Sequence, residues 1–296
     1  MTYVSELQQI IDSLDISLVD FGLELTYDEN NEKVPTQAFG EFLTNREQGD
    51  WAEQSLISAI NDKYESLVAV PYGKNENLIA GDPGFKEFYK KYKKELCEIG
   101  KRPDVLIFEA EQYEPYRNMD LTQLSFDEQQ DIVPKALAGL EVRSSAYLQK
   151  RFTPKEDRPS LTFTPKKEDL LVVKKWIDNF KIPHFYVQVF FDSAYIISFK
   201  KILELMATSS TKGRSKKKFY INDELSFVLD KAPKNQFKDT INIFLKNGLK
   251  ISDNVSSPTL NAHTKELAHG RLLNYISFEK SNIEIIDDFE SYIRGY

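Results

Sequence analysis

Three carboxylates stand where the surrounding sequence favours apolar side chains. Asp104 follows Pro103 at the head of the run VLIFE. Glu141 lies inside LAGLEVRSS among apolar or small neighbours. Glu53 falls on the apolar stripe of a helix, four residues before Ile57. Carboxylates are rarely buried without a partner. Three of them near one sheet edge would repel each other unless a divalent cation joined them. Mg²⁺ takes hard oxygen ligands from one or two carboxylates plus water and phosphate, and it activates water and offsets charge on a phosphoryl group. The pattern therefore suits metal-dependent hydrolysis of a phosphodiester. Singly, each residue has a plainer reading: a turn or cap for Asp104, a solvent-facing or ion-paired strand residue for Glu141, a stripe edge for Glu53. The combination and its order carry the weight.

The elements that must position these acids follow from periodicity and punctuation. A first helix is expected over Ser5–Leu14, then polar, turn-prone sequence. Asp50 is expected to cap a helix running through Asn61, with Leu56, Ile57, Ile60 and Tyr64 on one face. Strands follow at 66–73, 104–111, 137–148 and 184–192, with helices at 84–100 and 166–181, and a strand then a helix over 194–206. A short helix is expected near 125–131, in the polar stretch 112–135. The central order helix–strand–strand–strand–helix–strand indicates an α/β sheet covered by helices. The last third mixes short strands and helices.

Composition narrows the chemistry. The chain has 296 residues, 41% hydrophobic and 12% aromatic, which supports a core and excludes a wholly disordered chain. One cysteine, Cys97, excludes a disulfide framework and a Cys-rich metal site. Three histidines leave little room for a His-based centre, and His263 and His269 match no usual metal spacing. No GxxxxGK[ST], GxGxxG after a strand, or GxSxG is present. No apolar run reaches the ~20 residues of a membrane helix, and the start lacks the pattern of a signal peptide. The expectation is a soluble, cytoplasmic protein.

The net charge of -7 hides an asymmetry: residues 1–142 carry -15, residues 143–250 carry +11 and residues 251–296 carry -3. A basic middle fits a polyanion-binding surface, and equally a lysine-rich solvated face. The turn KGRSKKK, with Lys212, Arg214, Lys216, Lys217 and Lys218, suits contacts to phosphates. Its plainer reading is a solvated loop. Base readout needs polar side chains that reach into a groove. Lys250, Ser252, Asn254, Ser256, Ser257, Asn261, His263 and Arg271 are the candidates, mostly in the polar stretch SDNVSSPTLNAHTK. Ser144 and Ser145 could also meet phosphate.

Pro103-Asp104 on one strand and Glu141-Val142-Arg143 on the next resemble the PD-(D/E)XK nuclease motif. RPDVLIFE, GLEVRSSAYL and IPHFYVQVFFD together resemble type II restriction endonucleases of the AccI-like group. The resemblance covers roughly residues 46–206. It implies a restriction-endonuclease-like mixed central sheet flanked by helices, with an additional C-terminal α+β recognition region. The division it suggests is an N-terminal helical and loop region at 1–45, a nuclease core at 46–206 and a DNA-recognition region at 207–296, within one compact whole. Asp104 and Glu141 would then be metal ligands, joined by the Val142 carbonyl, with Glu53 as a supporting acid and Mg²⁺ as cofactor. Double-stranded DNA would be the substrate, cut site-specifically to leave 5′-phosphate ends, and a homodimer would match a palindromic site.

Two features depart from the pattern. Arg143 stands where the family usually has Lys. It stays protonated, so it can grip a phosphate oxygen but cannot act as a base; Lys150, Lys166 or Lys167 could supply the lysine. The gap from Asp104 to Glu141 is also long, so residues 112–135 must form a subdomain or a loop beside DNA. Two alternatives stay open: a repair or structure-specific nuclease of the same superfamily, and a non-catalytic DNA-binding module that kept the fold.

Overall fold

The computed structural model describes residues 2–14, 33–73, 78–154, 160–207, 219–222, 225–227 and 241–296. In chain order the elements are α1 (Tyr3–Asp12), α2 (Gly40–Lys63), β1 (Leu67–Pro71), α3 (Phe85–Glu98), β2 (Val105–Glu109), α4 (Ala110–Tyr113), α5 (Phe126–Ile132), β3 (Ala138–Ser144), β4 (Thr162–Phe163), α6 (Lys167–Phe180), β5 (His184–Val189), β6 (Ala194–Ser198) and α7 (Phe199–Ala207). They continue with β7 (Phe219–Asn222), β8 (Leu225–Phe227), β9 (Ile241–Phe244), β10 (Leu249–Ser252), β11 (Thr259–Glu266), β12 (Leu272–Glu279) and α8 (Asp288–Arg294).

The central sheet is mixed and six-stranded, in the order β1-β2-β3-β5-β6-β10. Only β3 and β5 run parallel; every other neighbouring pair is antiparallel. A parallel pair needs a long crossover, and α6 provides it. Alternate residues of each strand face opposite sides. Leu106, Phe108, Tyr186 and Ile197 pack with Leu170, Val173, Trp176, Ile177 and Phe180 of α6 on one side. Ala69, Val105, Ile107, Leu140, Val187 and Ile196 pack with Trp51, Leu56 and Ile60 of α2 on the other. This is the mixed α/β sheet between helices that the sequence indicated.

Two expectations need adjustment. Asp50 does not cap a helix; it sits in the middle of α2, which begins ten residues earlier at Gly40. The polar first half of α2 is held by tertiary contacts rather than by its own pattern. Thr44 Oγ1 accepts a hydrogen bond from the Ile276 N–H of β12, and Leu43 is buried with Leu273 and Leu267. The second concerns residues 112–135, which form α4, α5 and short 3₁₀ turns packed on the core. Ser125 and Glu128 make a reciprocal capping box at α5. The Arg102 guanidinium donates to the carbonyls of Thr122 and Leu124, and Leu121, Leu124, Ile132 and Val133 are buried.

The chain beyond residue 240 rejoins the core. Strand β10 extends the sheet from β6, and Phe289 and Ile293 of α8 enter the α2-side core. Arg294 pairs with Glu109 at the end of β2. Apart from this lie a small sheet, β4-β9-β8-β7, and a two-stranded ribbon of β11 and β12. Among the described residues no helix is long and apolar enough to cross a membrane.

Candidate active site

The register of β2 on β3 decides whether the acids meet. Val105 pairs with Leu140, so Asp104, one residue back, and Glu141, one residue on, fall opposite each other on the same side. Asp104 Oδ2 accepts a hydrogen bond from the Val142 N–H at 2.7 Å. Two glycines allow the segment before Asp104 to run this close. A Cβ on Gly139 would lie 2.6 Å from Pro103 Cγ, and one on Gly100 (φ +100°) would lie 2.4 Å from both the Trp176 nitrogen and the Val172 oxygen. The loop 100–104 is thus pressed between β3 and α6.

That loop delivers a lysine. Lys101 Nζ lies 2.6 Å from Glu141 Oε1 and 2.8 Å from Asp169 Oδ2, on the first turn of α6. Arg143 reaches the same Glu141 oxygen at 2.6 Å and Asp169 at 3.4 Å. Glu141 is 1% exposed, yet its second oxygen, Oε2, is buried with no hydrogen-bond partner. The parallel register places Tyr186 beside Glu141 and His184 beside Gly139.

The charges are unevenly balanced. Burial would raise the Glu141 carboxyl, but Lys101 and Arg143 outweigh it and hold Glu141 down at about 2. Lys101 and Arg143 are in turn held firmly protonated: burial opposes the Lys101 charge, but Glu141 and Asp169 prevail, and for Arg143 the Glu141 carboxylate is the largest influence. Asp104 is pushed up to about 7 by burial and by Glu141. Glu53 is pushed up to about 9 by burial, then by Asp104, Asp50 and Glu141. Burial lowers His184 to about 4 and raises Tyr186. Asp104 and Glu53 form no ion pair with a described residue, and Lys101 and Arg143 offset only part of the burial and mutual repulsion that disfavour negative charge there.

An added cation would relieve this. Glu141 has a free buried oxygen, and Asp104 has only one oxygen engaged, by Val142. Among the described residues no group of three His, Cys, Asp or Glu side chains is gathered as a metal cage. Mg²⁺ does not require one, since it commonly keeps several waters and uses one or two carboxylates. The donor set therefore fits that ion.

The other expected residues are dispersed. Lys150 is engaged elsewhere, its Nζ on the Asp253 carbonyl at 2.5 Å. Lys166 precedes α6 as its N-cap, and the Lys167 side chain lies outside what is described. Lys101, which follows the helix expected at 84–100 and was not among the candidate residues, is the lysine on the acids; its signal was its place three residues before Asp104. Asp169 was hidden in an amphipathic helix start. Ser144 lies 2.8 Å from the Gln48 amide, and the Ser145 hydroxyl accepts from Gln188 at 3.0 Å, both on the strand end next to Arg143. Lys212, Arg214, Lys216, Lys217 and Lys218 lie outside the described residues.

Asn261 and His263 are on one face of the ribbon, where His263 stacks on Tyr275 at 5.2 Å and lies 2.7 Å from Ser277 Oγ. The exposed Asn254 side chain belongs to the turn before the ribbon. Arg271, at the tip of the ribbon, stacks over Phe39 at 5.1 Å and donates to Gln37 at 3.4 Å. Phe39 and Gln37 border a cavity of about 550 Å³ whose wall also includes Glu53 and Asp104.

Comparison with known proteins gives one finding. The family model described as AccI restriction endonuclease matches residues 1–156 and again 153–290, which takes in both acids, the ribbon and most of the C-terminal third. Neither a curated protein nor a solved structure matches the chain. The match agrees with the AccI-like resemblance carried by RPDVLIFE, GLEVRSSAYL and IPHFYVQVFFD, and the chain belongs to the AccI restriction endonuclease family, a group of type II enzymes.

Proposed function

We propose that this restriction endonuclease is a Mg²⁺-dependent enzyme of the PD-(D/E)XK fold that cuts double-stranded DNA at a specific sequence and leaves 5′-phosphate ends. The observation that carries the reading is the pairing of Asp104 with Glu141 across β2 and β3, with Lys101 and Arg143 both on Glu141. The order α2, β1, β2, β3, α6 and β5, with α3, α4, α5 and β4 interposed, supports the fold.

Asp104 and Glu141 would hold Mg²⁺, with the Val142 carbonyl and Glu53 in support; bound there, the ion supplies an activated water and offsets charge on the phosphate. The chain's own groups do the rest. Lys101 and Arg143 keep Glu141 ionised and turned to one side, leaving Oε2 available. Arg143, about one-third exposed, can donate to a non-bridging phosphate oxygen and stabilise the five-coordinate state. That state forms as water, giving up a proton to solvent, attacks phosphorus in line with the 3′ oxygen; the P–O3′ bond breaks, the 3′ oxygen takes up a proton, and the phosphate stays on the 5′ end. The usual lysine, absent from the triplet, is supplied by Lys101. Its presence on Glu141 disfavours a non-catalytic module.

We assign the catalytic core to residues 46–206, preceded by 1–45 and followed by a DNA-recognition region at 207–296 that lends β10 and α8 to the core. A two-stranded ribbon fits the major groove, so Asn261, His263 and Arg271 are proposed DNA contacts, with Asn254 beside them. Ser144 and Ser145, at the strand end beside Arg143, are proposed phosphate contacts, and the basic segment from Lys212 to Lys218 is proposed for the same role from its sequence alone. A homodimer would match a two-fold site. The test incubates purified protein with phage DNA and Mg²⁺, with EDTA as control, and sequences the fragment ends. Discrete ends sharing one sequence are expected; absence of metal-dependent cutting, or cutting confined to flaps or junctions, overturns the proposal.

A further inference from the structure

The hydrolytic chemistry accounts for Asp104, Glu141, Lys101 and Arg143, but not for the cavity that opens beside them. Its volume of about 550 Å³ lies within the roughly 300–1,000 Å³ typical of small-molecule sites. The walls are largely aromatic: Phe39 and Phe42 come from the start of α2, and Phe85, Phe88, Tyr89 and Tyr92 from one face of α3. The α3 rings already form a ladder, with Phe88 stacked on Tyr92 at 6.3 Å and Phe85 beside Tyr89 at 5.8 Å. Facing them, Phe39 and Phe42 are 57% and 54% exposed, a large apolar area to leave in water. Polar groups are few: Arg46 and Asp50, 3.8 Å apart, and Gln37. Asp104 and Glu53 stand in the same wall, and Arg271 stacks over Phe39 at the rim.

We propose that this cavity receives a nucleobase turned out of the duplex from a nucleotide next to the scissile phosphate. The inference rests on the nuclease reading, because that reading places the phosphate at Asp104. A phosphate held there puts the adjoining sugar at the cavity mouth, and a base on that sugar reaches the rings only by leaving the helix. Flat apolar walls with few polar groups suit a base, whose faces stack and whose edge hydrogen-bonds. Stacking on aromatic side chains favours binding of any base and offsets the unstacking that a displaced base requires. Arg46, Asp50 and Gln37 are the groups that would read the edge, and Arg271 would hold the backbone of the displaced nucleotide.

The test has two stages. Cleavage with Mg²⁺ and sequencing of the ends first gives the recognition site. A duplex carrying that site is then bound to the full-length protein in Ca²⁺ and treated with chloroacetaldehyde and permanganate, which attack unpaired bases. The expected result is one or two reactive bases beside the cut, absent in free DNA. Phe42→Ala and Tyr89→Ala are expected to remove the reactivity and weaken site binding about tenfold, while an abasic nucleotide at the reactive position makes the variants bind like the parent protein. Phe42 is largely exposed, so its loss does not threaten folding. Site-specific cutting with every base protected in the complex overturns the cavity proposal and leaves the nuclease intact. Failure to cut at all overturns both.

Discussion

Replacing Asp104 with Asn should make the metal-free protein more stable and catalytically dead. Burial and Glu141 push the Asp104 carboxyl from 3.8 to about 7. An acid raised in the folded state favours folding most below its ordinary pKa; that contribution is lost as pH climbs to the folded value, and stability is then flat. Between 3.8 and about 7 the loss is on the order of 4 kcal/mol. Asparagine keeps an oxygen for the Val142 N–H, and the stronger bond that the ionised carboxylate accepts there is already contained in that shift. The expected gain at pH 8 is therefore on the order of 4 kcal/mol, or roughly 10 °C in Tm for a chain of this size. The assay is thermal unfolding of both proteins in EDTA at pH 8 and pH 5, repeated with Mg²⁺. The gain should shrink at pH 5, where Asp104 is mostly protonated when folded. Mg²⁺ should raise the Tm of the parent at pH 8 and leave Asp104→Asn unchanged. A variant no more stable than the parent at pH 8 in EDTA would refute the account of partly compensated charge.

Glu141→Ala and Asp104→Ala should each abolish cleavage while site-specific binding, read by gel shift, persists; full activity in either removes the assignment of the acids. Lys101→Ala should lower kcat by about 10²–10³-fold with affinity for DNA little changed, and Lys101→Arg should restore part of the rate; equal rates in Lys101→Ala and the parent would return the lysine role to another residue. EDTA should stop cutting and excess Mg²⁺ should restore it, as followed on plasmid DNA. Arg294→Ala should cost at most about 1 kcal/mol in urea unfolding at pH 7, as expected for a partly exposed, solvent-screened pair. Arg294 depresses Glu109, so that difference should be present above the ordinary carboxylate range and fade as pH falls below it.

How much was legible in the sequence depended on range. VLIFE, GLEV and HFYVQV had to be strands, because their apolar runs are too short for buried helices and are bounded by Pro and Gly. Leu170, Val173, Ile177 and Phe180 had to face a core. Asp104 and Glu141 were conspicuous because a carboxylate in such a setting must have a partner or a cation. What lay beyond reach was pairing. No local pattern shows that Gly40–Gly49 is helical, since β12, more than two hundred residues away, holds it. Nor does any show that Gly139 lets Pro103 approach, that Lys101 then falls on Glu141 and Asp169, or that Arg271 closes on Phe39. Local sequence sets the periodicity of a segment and the cost of burying its charges. Which oxygen meets which nitrogen is decided by strand register and close backbone contact, and those are settled only when distant segments compete for the same core.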